Sequence, residues 1–282
     1  MDANSAILRT GARTADQPRL FGKAWPVDRF TSLVILALAP PVAVALYGSL
    51  DGTLPLLIAA LIVAAAWTLL FARRRGHAVN WYCVATAALF ALLVPPATPL
   101  WQALLALSFG VVIAEQIFGG RGYGFIHPAV AALAFLFFSF PESAGGAAGD
   151  PVVALAAAPG AILLIATGLI SWRIVSAVVI GIGGWLAVKG TGVPWDALAA
   201  PGMVLGVVFL VSDPVSAAST NAGRWVYGLV VGTLLVILGS TGDGIASPAA
   251  IVFAALLGSI FAPLIDRIVI LLNVQRRRRR LG

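Results

Sequence analysis

Long apolar runs separated by short polar stretches dominate the chain. Ten of these runs are predicted to be helices, at residues 31–50, 53–72, 81–95, 100–116, 127–140, 155–170, 174–188, 199–212, 222–239 and 247–271. Several approach the roughly 20 residues that cross the hydrocarbon core of a bilayer. The third, fifth and eighth runs are shorter and end or begin at proline, as in membrane helices that break against protein. The pattern predicts an all-α, polytopic membrane protein of about ten transmembrane helices, some of them broken.

Charged residues are few and unevenly placed. They make up 10% of the chain, whereas a soluble domain carries about 25%. With the N-terminus inside, the inner loops contain Arg73, Arg74, Arg75, Arg121, Arg173, Arg224 and the arginines at 276–280. The outer loops contain the acids Asp51, Glu142, Asp150, Asp196 and Asp243. The positive-inside rule then predicts a multi-pass protein of the bacterial inner (cytoplasmic) membrane with both termini cytoplasmic.

The net charge of +7 raises the question of an anionic partner. Because the basic clusters flank apolar runs, we expect contact with membrane lipid and no nucleic-acid partner. The arginine run near the C-terminus suits either anionic lipid or a cytoplasmic protein, and both interpretations stay open.

The predicted helices divide into two sets of five. Residues 1–30 are expected to be a cytoplasmic segment, 31–272 the transmembrane domain and 273–282 a basic cytoplasmic tail. The fifth run opens with His127-Pro128-Ala129 and the tenth with Ser247-Pro248-Ala249, a loose correspondence between residues 31–140 and 155–272. Five helices per half make the halves inverted repeats, which often share a ligand site near the bilayer midplane.

Two polar breaks are the candidate cofactor-binding regions, and they are expected to meet within the bundle. In the first, glycines permit tight turns and aromatic rings could stack on a planar ligand. Its candidate residues are Gly120, Arg121, Tyr123, Phe125, His127 and Pro128. The second break interrupts the eighth run with Ser212, Asp213, Pro214, Ser216, Ser219, Thr220 and Asn221. Asp213 could face a ligand, or it could cap the following helix.

Two further acids lie in or beside apolar runs. Glu115 and Asp266 are candidates for a cation or proton pathway, because a charge in hydrocarbon is costly and usually faces a cavity or partner. The alternatives are a surface acid paired with Arg121 and an interfacial acid near Arg267. Two scattered histidines and the single Cys83 predict no metal site, and no catalytic residue is proposed.

The breaks and their flanks resemble a known family. The matching stretches are 93–101 (LVPPATPLW), 115–120 (EQIFGG), 127–129 (HPA), 134–138 (AFLFF), 171–174 (SWRI), 212–217 (SDPVSA) and 262–266 (APLID), together with Asn221, Gly223, Arg224, Trp225 and Gly228. In this order they resemble the membrane subunit shared by two ion-pumping redox complexes. This subunit is called NqrB in the Na+-translocating NADH:quinone reductase and RnfD in the Rnf complex.

The resemblance implies a ten-helix inverted repeat akin to urea and ammonium channels, and electron transfer through flavin coupled to sodium or proton movement. It also implies that Glu115 and Asp266 match acids associated with ion movement, and that the two breaks match the region of a non-covalent flavin, riboflavin or FMN. The implied partners are other membrane subunits that carry flavin or iron–sulfur centres.

Two departures from the family pattern affect the flavins. Family members attach FMN covalently to the threonine of a Ser-Gly-Ala-Thr motif, but residues 142–148 here read ESAGGAA, with Ala148 at the threonine position. Alanine has no hydroxyl, so we expect no covalent FMN at this loop. The family also commonly has two asparagines where this chain has Gly124 and His127, which removes two amides that could bond a flavin edge.

The leading hypothesis is therefore a short, divergent electron-transfer subunit of an Nqr/Rnf-like complex, which passes electrons via flavin and forms part of a redox-driven translocase without being an enzyme alone. The alternative from another class is a urea- or ammonium-channel-like transporter of a small solute or ion. A third hypothesis is a scaffold for other subunits.

Overall fold

The protein is helical throughout the part that can be described. A computed structural model describes residues 27–76, 79–143, 150–190, 192, 195–241 and 244–281, and this part contains no strand. The helices are α1 (Val27–Gly48), α2 (Leu50–Arg75), α3 (Tyr82–Leu93), α4 (Leu100–Val111), α5 (Pro128–Ser139), α6 (Pro151–Ala166), α7 (Trp172–Val188), the single turn α8 (Trp195–Leu198), α9 (Pro201–Leu205), α10 (Asn221–Thr241) and α11 (Pro248–Leu281).

Two helices continue into a wider π-helical turn. α4 is extended by Val112–Gln116 and α9 by Gly206–Val211. These π segments lead directly into the two polar breaks. Such segments are uncommon and often mark functional sites.

Helix length separates two groups. Among the described residues, four helices are long and apolar enough to cross a membrane, and six shorter apolar helices accompany them. The four long spans are Arg29–Gly48, Leu50–Arg75, Asn221–Ser240 and Pro248–Gln275. The chain is therefore a multi-pass membrane protein by length and composition, and the prediction of ten spans in two repeats remains a prediction.

The observed helix limits differ from the predicted ones where proline or polar residues act as caps. α6 begins at Pro151, four residues earlier than predicted, because the Asp150 side chain accepts a hydrogen bond from the backbone N–H of Val152 at 2.9 Å. α11 continues to Leu281, so the stretch predicted as a separate basic tail is helical through that residue. Arginine is a good helix former, which explains the extension.

Small residues bring the helices into close contact. On α10, a Cβ added at Gly228 would lie 2.7 Å from the carbonyl oxygen of Ile174, and one added at Gly232 would lie 3.1 Å from the Cα of Gly181. α7 and α10 therefore pack backbone to backbone through a Gly-x-x-x-Gly pair. Gly160 of α6 similarly rests on the Ala37 carbonyl of α1. These contacts hold the broken helices in the positions from which the candidate site is built.

Candidate functional site

The two polar breaks meet in the interior. The Arg121 guanidinium forms an ion pair with the Asp213 carboxylate, across 92 positions of sequence. The side chains are only 4% and 2% exposed. A buried charge is costly unless it is paired and hydrogen-bonded, so each residue neutralises the other.

Asp213 also orders its own break. Its Oδ2 accepts hydrogen bonds from the Ser216 backbone N–H at 3.2 Å and the Ser216 hydroxyl at 3.0 Å. The Tyr227 hydroxyl of α10 donates to the Val211 carbonyl at 3.0 Å, just before the break. Asp213 therefore stabilises a local turn and pairs with the other break at the same time.

Arg121 lies on an aromatic surface that the sequence analysis did not include. Its guanidinium carbon is 3.8 Å from the ring centre of Tyr82 and 5.7 Å from that of Phe30. These two rings are themselves stacked, with centroids 5.8 Å apart. Guanidinium groups bind aromatic faces in this way. One signal in the sequence could have pointed to this contact. Tyr82 is an aromatic residue with a polar hydroxyl, and it lies at the start of an otherwise apolar helix.

His127 links this aromatic surface to α5. Its Nδ1 accepts a hydrogen bond from the Ala129 backbone N–H at 3.1 Å and so caps the helix that starts at Pro128. Because Nδ1 accepts, the ring carries its proton on Nε2 and donates it to the Tyr82 hydroxyl oxygen at 2.9 Å. His127 is thus a neutral cap with a defined tautomer.

The glycines of the first break have distinct roles. Gly119, Gly120 and Gly122 have φ angles of 109°, 103° and 100°, which side chains rarely tolerate. They turn the chain sharply so that Arg121 points inward. At Gly124, a Cβ would lie 2.5 Å from the Ala114 carbonyl oxygen. An asparagine, which the family pattern has there, therefore does not fit this backbone.

The candidate aromatic residues of the first break lie on the outside of the loop. Tyr123 is 59% exposed and Phe125 42% exposed. Phe125 meets Phe118 edge to face, with ring centroids 5.6 Å apart. These rings form a surface that is separate from the buried Arg121–Asp213 pair.

The second break divides into two parts. Ser212, Asp213 and Ser216 are buried, with Pro214 partly buried beside them. Ser219 and Thr220 instead donate from both backbone and side chain to Asp266 of α11, over 2.6–3.0 Å. Asn221 accepts from Arg173 at 3.1 Å. The structure therefore places only the first part of this break with Arg121.

The two candidate ion-pathway acids have opposite surroundings. Asp266 has four hydrogen bonds and fixes the start of α10. Glu115 lies in the π segment, is 3% exposed and lines a small cavity of about 40 Å³ with Thr68, Arg75 and Asn80. No hydrogen bond joins its carboxylate to another described residue. Glu115 is thus a buried acid, and Arg121 has Asp213 as its ion-pair partner.

Comparison with known proteins identifies the family of the chain. The model of the NQR2, RnfD, RnfE family matches residues 18–150 and 142–274. The chain belongs to this family. The resemblance predicted from the sequence is therefore confirmed.

Bacterial proteins of one kind resemble the chain over most of its length. Over 277 positions, 79% of this chain and 68% of the relative, it is 35% identical to the B subunit of the Na(+)-translocating NADH-quinone reductase of Ectopseudomonas mendocina. The corresponding proteins of Klebsiella pneumoniae subsp. pneumoniae and Haemophilus influenzae are 36% and 32% identical, each over 80% of this chain and 68% and 69% of the relative.

The interior of this family member leaves little room for a flavin between its breaks. The cavity beside Asp213, Tyr82 and Phe30 is about 10 Å³, and that beside Glu115 about 40 Å³. A single water molecule needs roughly 10–15 Å³ of cavity volume measured to its centre, so a tricyclic ring does not fit either space. Arg121 Nε and Ser212 Oγ are buried without a hydrogen-bond partner within the described part, which suits one or two waters.

Two further expectations concerned the covalent FMN position and the absence of a metal site. Ala148, at the position of the missing covalent link, lies outside the described residues. In the described ranges, no three His, Cys, Asp or Glu side chains come together as a metal site would need.

Proposed function

We propose that the chain is the membrane subunit of an Nqr/Rnf-like electron-transport complex, which passes electrons through a non-covalent flavin and couples this to movement of Na+ or H+. The observation that carries the proposal is the family match over nearly the whole chain. Relatives named as the B subunit of a Na+-translocating NADH-quinone reductase support assembly with other membrane subunits, which would carry further flavin or iron–sulfur centres.

The proposed topology has ten spans in two inverted repeats. The contacts support it, because helix pairs recur in equivalent places of the two halves. α4 packs on α5 as α10 packs on α11, and α2 packs on α4 as α7 packs on α10. The proposed location is the bacterial inner membrane, with both termini cytoplasmic, on the side where Arg73, Arg74 and Arg75 end α2.

The flavin would be held by the exposed aromatic face of the first break. The interior is filled by Arg121, which lies on the Tyr82 ring. Tyr123 and Phe125 are accessible and present the planar faces on which a ring system stacks. Bound there, the flavin would supply one- and two-electron chemistry. The chain's own residues would hold the ring against the glycine turn and keep it out of the buried ion pair.

Glu115 is the stronger of the two proposed ion-pathway acids. Its carboxylate faces a cavity and has no hydrogen bond to another described residue, whereas Asp266 is fully engaged with Ser219 and Thr220. A buried acid that faces a cavity can bind and release a proton or cation.

A difference spectrum tests the proposal. The full chain, purified with its partner subunits and alone, should show flavin absorbance that dithionite bleaches. Tyr123→Ala should lower the flavin content, because it removes a stacking face. Phe138→Ala, 80% exposed on the end of α5, is the matched control and should leave the content unchanged.

A colourless preparation that passes urea, ammonium or sodium in liposomes without a redox partner would instead establish the channel-like transporter. Unchanged flavin content in Tyr123→Ala would reject the aromatic face as its position.

A further inference from the structure

Arginine and tryptophan side chains come together where α7 and α10 begin. Trp172 and Arg173 open α7, and Arg224 and Trp225 lie near the start of α10. The two indole rings meet edge to face, with centroids 5.8 Å apart. The guanidinium carbon of Arg173 lies 5.4 Å from the centre of the Trp172 ring. We call these four residues the arginine–tryptophan cluster.

Close packing of the two helices holds the cluster in place. The starts of α7 and α10 are adjacent because the helices are in backbone contact through the Gly-x-x-x-Gly pair. Across this contact, Arg173 Nη1 donates to the Asn221 Oδ1 at 3.1 Å. Arg224 Nε donates to the Ala218 carbonyl at 3.4 Å. Both acceptors are neutral, so these hydrogen bonds position the guanidinium groups without cancelling their charges.

The cluster carries an excess of positive charge. Arg173 and Arg224 are close enough for their charges to repel each other. Asp266 attracts Arg224, but its oxygens already accept four hydrogen bonds from Ser219 and Thr220. Among the described residues, no ion pair joins Arg173 to a carboxylate. Two positive charges therefore face one negative charge, and this surface attracts anions.

Exposed apolar side chains continue from the cluster along both helices. On α7, Val179 and Ile180 follow Trp172 by seven and eight residues, which places them on the same face. On α10, Leu229 follows Trp225 by four residues. Val179, Ile180 and Leu229 are all exposed. A molecule whose anionic group binds at the cluster therefore has an apolar surface beside it for a hydrocarbon chain.

The cluster lies at the basic end of the bundle. Arg75, at the end of α2, donates to the Gln116 carbonyl at 2.6 Å, just before the first break. That break pairs with the second, which runs directly into the start of α10. Tryptophan rings at helix ends are typical of the lipid headgroup zone, and basic helix ends are typical of the leaflet that is rich in anionic lipid.

We propose that the arginine–tryptophan cluster binds the phosphate group of an anionic phospholipid, phosphatidylglycerol in its simplest form. Guanidinium groups form strong charge-assisted hydrogen bonds with phosphate oxygens. A zwitterionic lipid adds an ammonium group that both arginines repel, so an anionic headgroup is preferred. The exposed apolar face favours a lipid over free phosphate, because the acyl chains pack along it. The proposal requires that the chain spans a membrane but does not depend on a flavin.

Lipid retention by the detergent-purified full chain tests the proposal. Mixed micelles contain phosphatidylglycerol or phosphatidylcholine, and native mass spectrometry measures the lipid that remains bound. The unchanged protein should retain phosphatidylglycerol at lower concentrations than phosphatidylcholine. Arg173→Gln/Arg224→Gln should weaken phosphatidylglycerol binding about tenfold or more, since each basic residue near anionic lipid contributes several-fold in affinity. Inorganic phosphate at the same concentration should not displace the lipid, because it has no acyl chains.

The matched control is Arg73→Gln/Arg74→Gln. It removes the same two charges from exposed positions at the same end of the bundle, outside the cluster. This variant should bind phosphatidylglycerol nearly as tightly as the unchanged protein. Arg173→Gln alone, which changes one residue at a helix start, should weaken binding by a smaller factor and serves as the test if the double variant does not fold.

Equal phosphatidylglycerol binding in the two glutamine double variants would overturn the proposal, and so would equal retention of phosphatidylcholine by the unchanged protein. Displacement of the lipid by inorganic phosphate would reject a lipid as the occupant. Loss of a partner subunit from Arg173→Gln/Arg224→Gln, with lipid binding unchanged, would make the cluster a protein interface instead. Flavin is not measured in this assay, so its failure leaves the flavin proposal untouched.

Discussion

The two ends of the bundle treat polar atoms in opposite ways. At the breaks, Arg121 and Asp213 are buried together and the remaining spaces are only about 10 and 40 Å³. At the other end, which we call the proline end, a much larger cavity of about 230 Å³ has a mostly apolar wall that includes Pro95, Pro96, Pro201 and Pro248. The comparison teaches that this chain pairs its buried charges where the two broken helices meet. Where it keeps a larger space, it lines that space mainly with apolar side chains.

The largest effect is expected from breaking the buried ion pair. Arg121→Leu leaves the Asp213 carboxylate buried without its cation, which should destabilise the protein by about 3–5 kcal/mol. Thermal unfolding in detergent measures the loss. A double variant, Arg121→Leu/Asp213→Asn, should recover much of the stability because no unpaired charge remains.

Arg173, which is half-buried and donates to Asn221 at the surface, provides the matched arginine control. Arg173→Leu should cost less than about 1 kcal/mol, as surface polar contacts usually do. If Arg121→Leu lowered the stability as little as Arg173→Leu, the ion pair would not stabilise the contact between the two breaks. The contrast between the two ends of the bundle would then be wrong.

An intermediate effect is expected at Asp266. Asp266→Asn turns an amide N–H₂ toward donors of Ser219 and Thr220, and should cost about 1–3 kcal/mol through lost charge-assisted hydrogen bonds. Exposed Asp196 gives the control, Asp196→Asn, which should be neutral. In the assembled complex, an unchanged Na+ dependence of electron transfer in Asp266→Asn would exclude this acid from an ion pathway.

The smallest effect is expected at the proline end. Ser49 is exposed, and its hydroxyl is paired with Thr53. Ser49→Ala should therefore change stability by less than about 0.5 kcal/mol. A loss comparable to that of Arg121→Leu would show that the proline end is also a closed structural network.

The sequence predicted the helical class and the positions of the two breaks, because apolar length and proline positions are local signals. The family and the meeting of the breaks were expected from the resemblance of the motifs and from the division into two halves. It did not predict that Tyr82 and Phe30 lie beneath Arg121, or that Ser219 and Thr220 bond to Asp266. These contacts join residues about 40–90 positions apart. They depend on how helices pack, which residue spacing alone does not encode.

Asp213 also shows what the sequence could not predict. A ligand-facing charge and a helix cap were the alternatives in the sequence, yet in the structure one oxygen of Asp213 accepts within a local turn and the other pairs with Arg121. Gly124 is similar. Its missing amide was visible in the sequence, but the approach of the Ala114 carbonyl that requires glycine was not.

The π-helical segment at Val112–Gln116 determines the direction in which the chain leaves this helix. Each residue of an α-helix advances the chain by about 100°. Shortening this segment by one residue would turn it into ordinary helix, and the glycine turn would leave the helix about a quarter-circle away. Arg121 would then face lipid instead of the opposite half. The inward orientation of the glycine turn and of Arg121 therefore depends on the one extra residue of the π-helical segment.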